Sequence, residues 1–523
     1  MLICVYFSQH LIFGTLMTLS ELLERISSFQ ETLLYSLVQG NKIGAIQSLE
    51  IQGVNSDSRL VQSGEIFGVF APNLDQALMH VEQASGRGVQ VMVVSHKLMQ
   101  RIESKPYLND AVWIVCERPR QMFAKLTSKF YGTHPQNCVA VTGTAGKTSV
   151  CSLVLQLWKH LNIPSASMGT LGLHHSTEDL VMEYTSTLTT PDPVSMHKCL
   201  AELKQSGTDH IVMEASSHGL DQNRLDGLRF KVAAFTSFSQ DHLDYHPTMD
   251  VYFAAKLRLF EDLISKDGWA VLNADIPEYD DLMDACVMRN HPIYSYGQHG
   301  KFMRLKSMNI NKNGQRLVLD INNVDHVVQF PLMGRTQVYN LMCALTIVIT
   351  MGAKLNAVLK VVERIVPVPG RLNFAGQHSN GAMIYVDYAH KPQALELVLK
   401  DMRHYCKGRL HVVFGCGGDR DKDKRAIMGR IAHDFADVVI VTDDNPRTEG
   451  PHTIRQQILS ESPSAIEIGD RKVAIEYAIK GLSSDDILIV AGKGHEKHQI
   501  IGSQKIPFDD MEVISNYLTQ LTV

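Results

Sequence analysis

The sequence predicts an α/β protein of three domains, with a central phosphate-loop ATPase unit on a mostly parallel sheet and a C-terminal Rossmann-like unit. Three observations predict it. From Val139 onward, short apolar runs alternate with amphipathic spans, the pattern of a parallel sheet covered by helices. The runs end in Gly, Asp, Arg or His, and in open α/β sheets ligands gather at the carboxyl ends of strands. A chain of 523 residues, 45% of them hydrophobic, also exceeds what one core organises at about 100–200 residues per domain.

The elements follow in order. The opening run MLICVYFSQHLIFGTLM is apolar, but it lacks a basic flank and is broken by Ser8, Gln9 and His10. It is also shorter than the roughly 20 residues that span a bilayer. Residues 1–16 are expected to be a disordered extension, and MTLSELLERI from Met17 reads as the first amphipathic helix. VQVMVVS from Val89 and AVWIVCE from Ala111 read as strands, RQMFAKLTSKFYG as a helix, and Gly132 closes the first domain, 1–134. In the second domain, 135–366, CVAVTG, HIVMEASS, VAAFTS and WAVLNAD are successive strands with small or polar ends. VPVPGRLN, Val366 to Asn373, places two prolines around a glycine and suits a joint. The third domain, 367–523, repeats the grammar in MIYVDYAH, LHVVFGCGGDRD, DVVIVTDDNPR and DILIVAGKGHE.

Composition narrows the partners. A net charge of -5 with 7% aromatic residues gives no basic surplus for nucleic acid or an anionic membrane, so small molecules are the expected partners. The nine cysteines are scattered singly with no C-x-x-C pair, which argues against a disulfide framework or structural zinc and for a reducing cytoplasm.

The chemistry begins at Val139–Leu161, VAVTGTAGKTSVCSLVLQLWKHL. A β-branched strand enters Gly143-Thr144-Ala145-Gly146-Lys147-Thr148 and a long amphipathic helix leaves it. In that context backbone N–H groups and the helix N-terminus favour phosphate oxygens, Lys147 neutralises charge and the Thr148 hydroxyl can reach Mg²⁺. The common G-x-x-x-x-G-K-[ST] pattern would require glycine at Val141, so this loop is a short variant. A triphosphate needs a divalent metal, which draws attention to Glu214 at the end of HIVM and to Gln240–His246 after VAAFTS. Read alone, Glu214 is equally a helix-capping acid and the His/Asp cluster a solvated turn.

Taken in order, TGTAGKTS, MEASSHGLDQNR, SQDHLDYH, VYFAAKLRLF, PGRLN, DYAHKP, GCGGDRDKDKR, DDNPRTEG and AGKGHE resemble the motifs of the Mur ligase family, from about Ser56 to Asp510. The resemblance implies an N-terminal domain for a uridine nucleotide, a central ATPase and a C-terminal domain that brings an amino acid. By it, the loop from Gly143 to Ser149 (Gly143, Thr144, Ala145, Gly146, Lys147, Thr148, Ser149) holds ATP. Asn340 contacts adenine, and Arg371 and Asp387 reach the nucleotide from the joint and the third domain. Ser58 and Arg59 match the uridine site; Thr189, Thr190, Ser216, Gln222 and Arg224 match contacts to a muramoyl dipeptide. Glu214 and His242 match Mg²⁺ ligands beside Thr148. Lys256 matches a lysine that the family carbamylates, which turns a cation into a metal-binding anion. By itself a lysine in an amphipathic helix is expected to be solvated. Lys147, Glu214, His242 and Lys256 are thereby the catalytic candidates.

The implied reaction is ATP-driven ligation of meso-diaminopimelate to UDP-N-acetylmuramoyl-L-alanyl-D-glutamate through an acyl phosphate, in peptidoglycan precursor synthesis. The implied cofactor is Mg²⁺, and the implied enzyme is a cytoplasmic monomer without membrane insertion or nucleic acid. For the amino acid, Pro446 fixes a turn that presents Arg447 at the sheet rim, and a planar guanidinium suits a free carboxylate. In the family Asp444-Asn445-Pro446-Arg447 accompanies diaminopimelate, with further contacts matching Arg420, Gly492 and Glu496. The alternative is that Arg447 merely braces its own turn.

Two departures accompany the match. Thr236-Ser237 replaces the family's Thr-Asn before D-H-L-D, and Gln337 stands where an asparagine is common. The loop Phe70–Asp75 also lacks expected glycines. Other readings are the same chemistry with L-lysine, a folylpolyglutamate-synthetase-like ligase, an ATP-dependent switch, and a metal-dependent hydrolase using His242, Asp244 and His246.

Overall fold

In a computed structural model of the chain, the described residues are 17–24, 26, 33–36, 49–103, 105, 111–177, 188–311 and 314–522; the expected extension 1–16 lies outside them. Three sheets follow one another along the chain. The first has five strands, ordered Leu33–Ser36, Val112–Cys116, Val91–Ser95, Glu65–Gly68, Gly53–Asn55, all parallel except the first pair. Helix Pro119–Tyr131 covers it, opened by proline and closed at Gly132, where φ is 71°.

The central sheet has ten strands, and its middle is parallel: Ser165–Gly169, His210–Glu214, Asn137–Thr142, Phe230–Phe235, Ile264–Asn273, Ile293–Gly297. Each strand is apolar on both faces because each face is covered. Val139, Val141, Val212, Val232 and Val271 pack on one side, with helices Lys147–His160 and Arg335–Thr350. Cys138, Ala140, Ile211, Met213, Ala233 and Leu272 pack on the other. The period-2 alternation thus divides one strand between two cores.

Beyond Gly297 the sheet continues as an antiparallel meander, Met303–Asn311, Gly314–Ile321 and Val324–Phe330, which the alternating reading above did not anticipate. Its second turn is Asn322-Asn323, with φ of 51° and 65° between the paired Ile321 and Val324. Two consecutive left-handed asparagines are the signature of a tight hairpin.

The third sheet has the order Asn373–Gln377, Met383–Asp387, Ile487–Ala491, Leu410–Phe414, Val438–Val441, Ile466–Glu467, parallel apart from the edge strand Asn373–Gln377. Between the second and third sheets the chain runs without helix or strand from Ile365 to Leu372. Helix Arg335–Thr350 of the central unit starts against the third: Asp401 accepts from Arg335 N at 2.8 Å and Thr336 N at 3.1 Å, supplying the cap that Gly334 cannot. No helix among the described residues is long and apolar enough to cross a membrane.

Candidate active site

The phosphate loop joins the buried strand Asn137–Thr142 to helix Lys147–His160. Gly146 has φ of 89°, and a Cβ there would lie 2.6 Å from Asn340 Oδ1, so the loop needs glycine both for conformation and for space. Thr144 N donates to Ser237 O at 2.7 Å, Ala145 N to Ser237 Oγ at 3.0 Å, and Thr236 Oγ1 to Ala145 O at 2.5 Å. The departure at Ser237 is therefore a clasp on the loop. Gln337, the other departure, donates to Arg371 O at 3.0 Å and ties the joint to the central unit.

Lys147 folds back over its own loop, with Nζ donating to Gly143 O at 2.8 Å and Thr144 O at 3.0 Å. Burial pushes its ammonium below the usual lysine range. Next to it Thr148 Oγ1 donates to Glu214 Oε2 at 3.0 Å. Glu214 is buried at the end of its strand, and its other oxygen accepts from Thr170 N at 2.8 Å. It caps no helix; the cap of the following Ser217–Asp221 turn is Ser216.

Lys256 is the largest correction to a reading of the residues alone. It is 1% exposed, not solvated. Its Nζ donates to Gly143 O at 2.9 Å and stands 4.4 Å above the Tyr252 ring. Burial pushes the ammonium far below its usual range, and Lys147 adds to the effect. The helix that carries it, Met249–Arg258, runs into a π-helical turn at Leu259–Leu263, an irregularity common at functional sites.

His242 has a φ of 54° and packs edge-on against His218, ring centroids 4.7 Å apart. Burial, with Lys391 beside it, lowers its imidazole to about 4. Lys391 comes from the third unit: its Nζ donates at 2.7 Å to both carboxylate oxygens of Asp241 and lies 3.4 Å from His242 Nε2. Burial acts the other way, yet Lys391 holds the Asp241 carboxyl below its usual range. This ion pair was missed in the sequence, although HKP in DYAHKP places a lysine beside the recognised motif. Arg371 reaches across as well, its Nη2 3.5 Å from Thr148 Oγ1 and its guanidinium 4.6 Å over Tyr388. Asp387 is buried and works on the joint, accepting from Leu372 N at 2.7 Å and Ala389 N at 2.8 Å.

Alongside the loop lies a cavity of about 300 Å³, walled by Gly146, Asn340, Tyr339 and Arg335 from the central unit and by Lys400 and His404 from the third. It has the size and mixed lining of a small-molecule site. On the opposite side, Thr190 Oγ1 donates to Glu214 O at 2.8 Å and meets Ser216 Oγ at 3.0 Å. Arg224 donates to Thr190 O at 2.6 Å and to Gln222 Oε1 at 2.7 Å, and Thr189 Oγ1 lies 3.1 Å from Thr170 Oγ1. Five residues named separately thus form one polar wall beside Glu214. Ser58 and Arg59 stand apart in the first unit: Ser58 Oγ donates to Gln83 at 2.8 Å, and Arg59 pairs with Asp57 at 2.6 Å while 81% exposed.

The third-unit rim gathers the remaining candidates. A Cβ on Gly418 would lie 1.9 Å from Pro446 O, so the GCGGD loop can abut the DNPR turn only through glycine. Arg447, at φ 51°, donates from Nη1 to Gly418 O at 2.8 Å, so it does brace the two loops. Arg420 and Arg447 flank Gly417. Asn445 Nδ2 donates to Glu496 Oε2 at 2.9 Å, and Asp444 is buried beside them. Among the described residues no three His, Cys, Asp or Glu side chains form a ready metal site, and His242, Asp244 and His246 are not such a group.

A phosphate loop hinged to a Rossmann-like unit that lends cations to it is the build of an ATP-dependent amide-forming ligase. Residues 141–348 match the family model described as Mur ligase middle domain, and residues 370–494 that described as Mur ligase, glutamate ligase domain. The chain is 43% identical to the UDP-N-acetylmuramoyl-L-alanyl-D-glutamate--2,6-diaminopimelate ligase of Agrobacterium fabrum, over 92% of this chain and 95% of that one. To the like-named ligase of Rhizobium meliloti it is 44% identical, over 89% and 94%. A solved structure of a ligase of that name superposes with a TM-score of 0.67 at 28% identity, covering 94% of this chain and all of the other. The chain belongs to the Mur ligase family.

Proposed function

We propose that the chain joins meso-diaminopimelate to UDP-N-acetylmuramoyl-L-alanyl-D-glutamate, driven by ATP, as a step of peptidoglycan precursor synthesis. The observation that carries this reading is the reach of Arg371 and Lys391 from the unit that carries Asp444–Arg447 to the phosphate-loop unit, in a chain 43% identical to a ligase of that name. Residues 1–134, 135–366 and 367–523 are the units we assign to the uridine nucleotide, ATP and the amino acid.

In the first half-reaction a glutamyl carboxylate oxygen attacks the γ-phosphorus of ATP, the bond to the bridging oxygen breaks, and ADP leaves an acyl phosphate. Lys147 and Arg371 stand at the loop and supply positive charge to that chemistry, Lys147 exchanging its bonds to Gly143 O and Thr144 O for phosphate oxygens. In the second half-reaction the diaminopimelate amine attacks the acyl carbon, loses a proton, and phosphate departs as the tetrahedral intermediate collapses to an amide. Lys391 and Arg371, both beyond the central unit, complete the site from the third, which keeps water from the acyl phosphate. No protein nucleophile takes part; the thiol on the helix that leaves the loop, Cys151, is buried and held well above its usual range.

Thr148, Glu214 and His242 offer a hydroxyl, a buried carboxylate and a neutral imidazole, a donor set that fits Mg²⁺. The ion would neutralise phosphate charge when bound. Lys256 supplies the remaining anion as a carbamate: its buried amine, favoured in the neutral form, adds to CO₂ and releases a proton. The eight buried free cysteines among the described residues suit a reducing cytoplasm, and we assign the enzyme there as a monomer.

The test is ATP-dependent phosphate release with the UDP-N-acetylmuramoyl dipeptide and either meso-diaminopimelate or L-lysine, with the product weighed by mass spectrometry. A tripeptide product with diaminopimelate alone is expected. Turnover with lysine instead overturns the specificity, and phosphate release without any joined product overturns the ligase.

A further inference from the structure

Behind the third-unit rim is a lysine that the motif comparison passes over. Lys493, in AGKGHE, is 0% exposed. Its Nζ donates to Asn445 Oδ1 at 3.2 Å and to Glu496 Oε2 at 3.2 Å, and lies 3.7 Å from Asp444 Oδ1. A buried ammonium with three such partners is a built feature, since an unpaired one would not survive burial.

Its partners are the residues that the proposed function gives to the amino acid. Glu496 Oε2 already accepts from Asn445 Nδ2 at 2.9 Å, so Lys493 saturates that oxygen. Asn445 Oδ1 is likewise filled, by Lys493 and by Ile500 N at 2.9 Å. Asp444 Oδ1, by contrast, is buried with no hydrogen-bond partner. The other buried cation nearby is already engaged: Arg471 makes two 2.8 Å bonds to Asp510. Asp444 thus faces two buried cations, Arg471 and Lys493, and of the two Lys493 is the one bonded to Glu496. Burial pushes the Asp444 carboxyl above its usual range, whereas, against the effect of burial, Asn445 and Lys493 hold the Glu496 carboxyl below its own, so Glu496 is the anion of this cluster.

We infer that Lys493 is a positioning and selectivity residue of the amino-acid pocket, holding Glu496 by one oxygen so that the other faces the substrate ammonium, and limiting the pocket to one ammonium. The inference rests on the rim taking a diamino acid. Diaminopimelate brings an ammonium and a carboxylate on its far carbon, and the pocket as balanced by Lys493 opposes them with one anion and one guanidinium. Lysine brings an ammonium without that carboxylate. Removal of Lys493 would leave Glu496 without its buried ammonium and make the pocket more tolerant of lysine.

The experiment is steady-state kinetics on the full chain for wild type, Lys493→Met, Glu496→Gln and the double variant, with thermal melting and ATP affinity as controls on the fold. For Lys493→Met the KM for meso-diaminopimelate is expected to rise about tenfold or more while the KM values for ATP and the UDP-muramoyl dipeptide stay within about twofold. The preference for diaminopimelate over lysine should fall by a similar factor. Because Lys493 acts through Glu496, the double variant should lose no more affinity than Glu496→Gln alone. In the double variant no glutamate lacks its ammonium and Asp444 still faces the buried Arg471, so it reports even where Lys493→Met does not fold. Additive losses, or an unchanged KM in a folded Lys493→Met, overturn the inference. A wild type that joins lysine instead of diaminopimelate overturns the functional reading on which it rests.

Discussion

Two regions of this molecule face a nucleotide in the proposed reaction, and they are built in opposite ways. Around the phosphate loop the side chains are tied down before any ligand arrives at four points: Ser237 and Thr236 clasp the backbone, Lys147 lies on its own carbonyls, and Thr148 is bonded to Glu214. At the uridine candidate, Arg59 lies exposed to solvent and pairs with its neighbour Asp57, whose carboxyl it lowers to about 2. Stabilising developing charge requires dipoles and cations fixed in advance, because reorganisation during the reaction would add to the barrier. Gripping a remote part of a substrate requires only that the group can arrive. Rigidity is placed where the chemistry is.

Breaking each region in turn should therefore give very different losses. Lys256→Ala is expected to abolish turnover, with short carboxylic acids restoring part of it by standing in for the carbamate; full activity in this variant would remove the carbamate from the mechanism. Lys147→Ala should lower kcat by about 10²–10³-fold with the fold intact by melting, as loss of a fixed charge-stabilising group does elsewhere. Arg447→Ala should raise the KM for diaminopimelate about 10–100-fold and leave the KM for ATP unchanged, a split that initial-rate kinetics reads directly. If that KM does not move, the bond to Gly418 O is the whole role of Arg447. Arg59→Ala, at the open end of the comparison, should raise the KM for the UDP-muramoyl dipeptide no more than about threefold, since exposed ion pairs contribute little.

A smaller and independent effect sharpens the same contrast between buried and open groups. His197 is 2% exposed in helix Pro193–Gln205, and burial lowers its imidazole from 6.5 to about 3. The unfolded chain takes up the proton first, so this contribution to stability is complete above pH 6.5 and is lost as pH falls toward 3. The slope is at most about 1.4 kcal/mol per pH unit. Denaturant midpoints compared between pH 7 and pH 5 should shift less in His197→Leu than in wild type; equal shifts would exclude His197 as the source.

Much of the frame was legible because local chemistry carried it. The run Cys138–Thr142 could only be a covered strand, Gly132 and Val366–Leu372 could only be breaks, and the glycines at 143 and 146 announced a phosphate cradle. The antiparallel meander was legible too, in the alternation of Met303–Asn311 and the pair Asn322-Asn323, but a period-2 pattern is easily passed over after a series of buried strands. The catalytic candidates were reached through motif resemblance, and their physical states were not reached at all.

Those states depend on partners far along the chain. Lys256 reads as a surface lysine until Gly143 and Tyr252 are packed around it, and only then does burial push its ammonium far below the usual range. Asp241 and Lys391 are 150 residues apart, and Lys493 meets Asn445 across 48. Hydrophobic period, turn chemistry and the order of motifs act over a few residues, so the sequence by itself determined the strands, the hinges, the phosphate loop and the family. Burial and charge pairing act through space, so the burial of Lys256, the third-unit cations beside the phosphate-loop unit and the charge cluster behind the Asp444–Arg447 rim were decided only when the tertiary structure brought distant residues together.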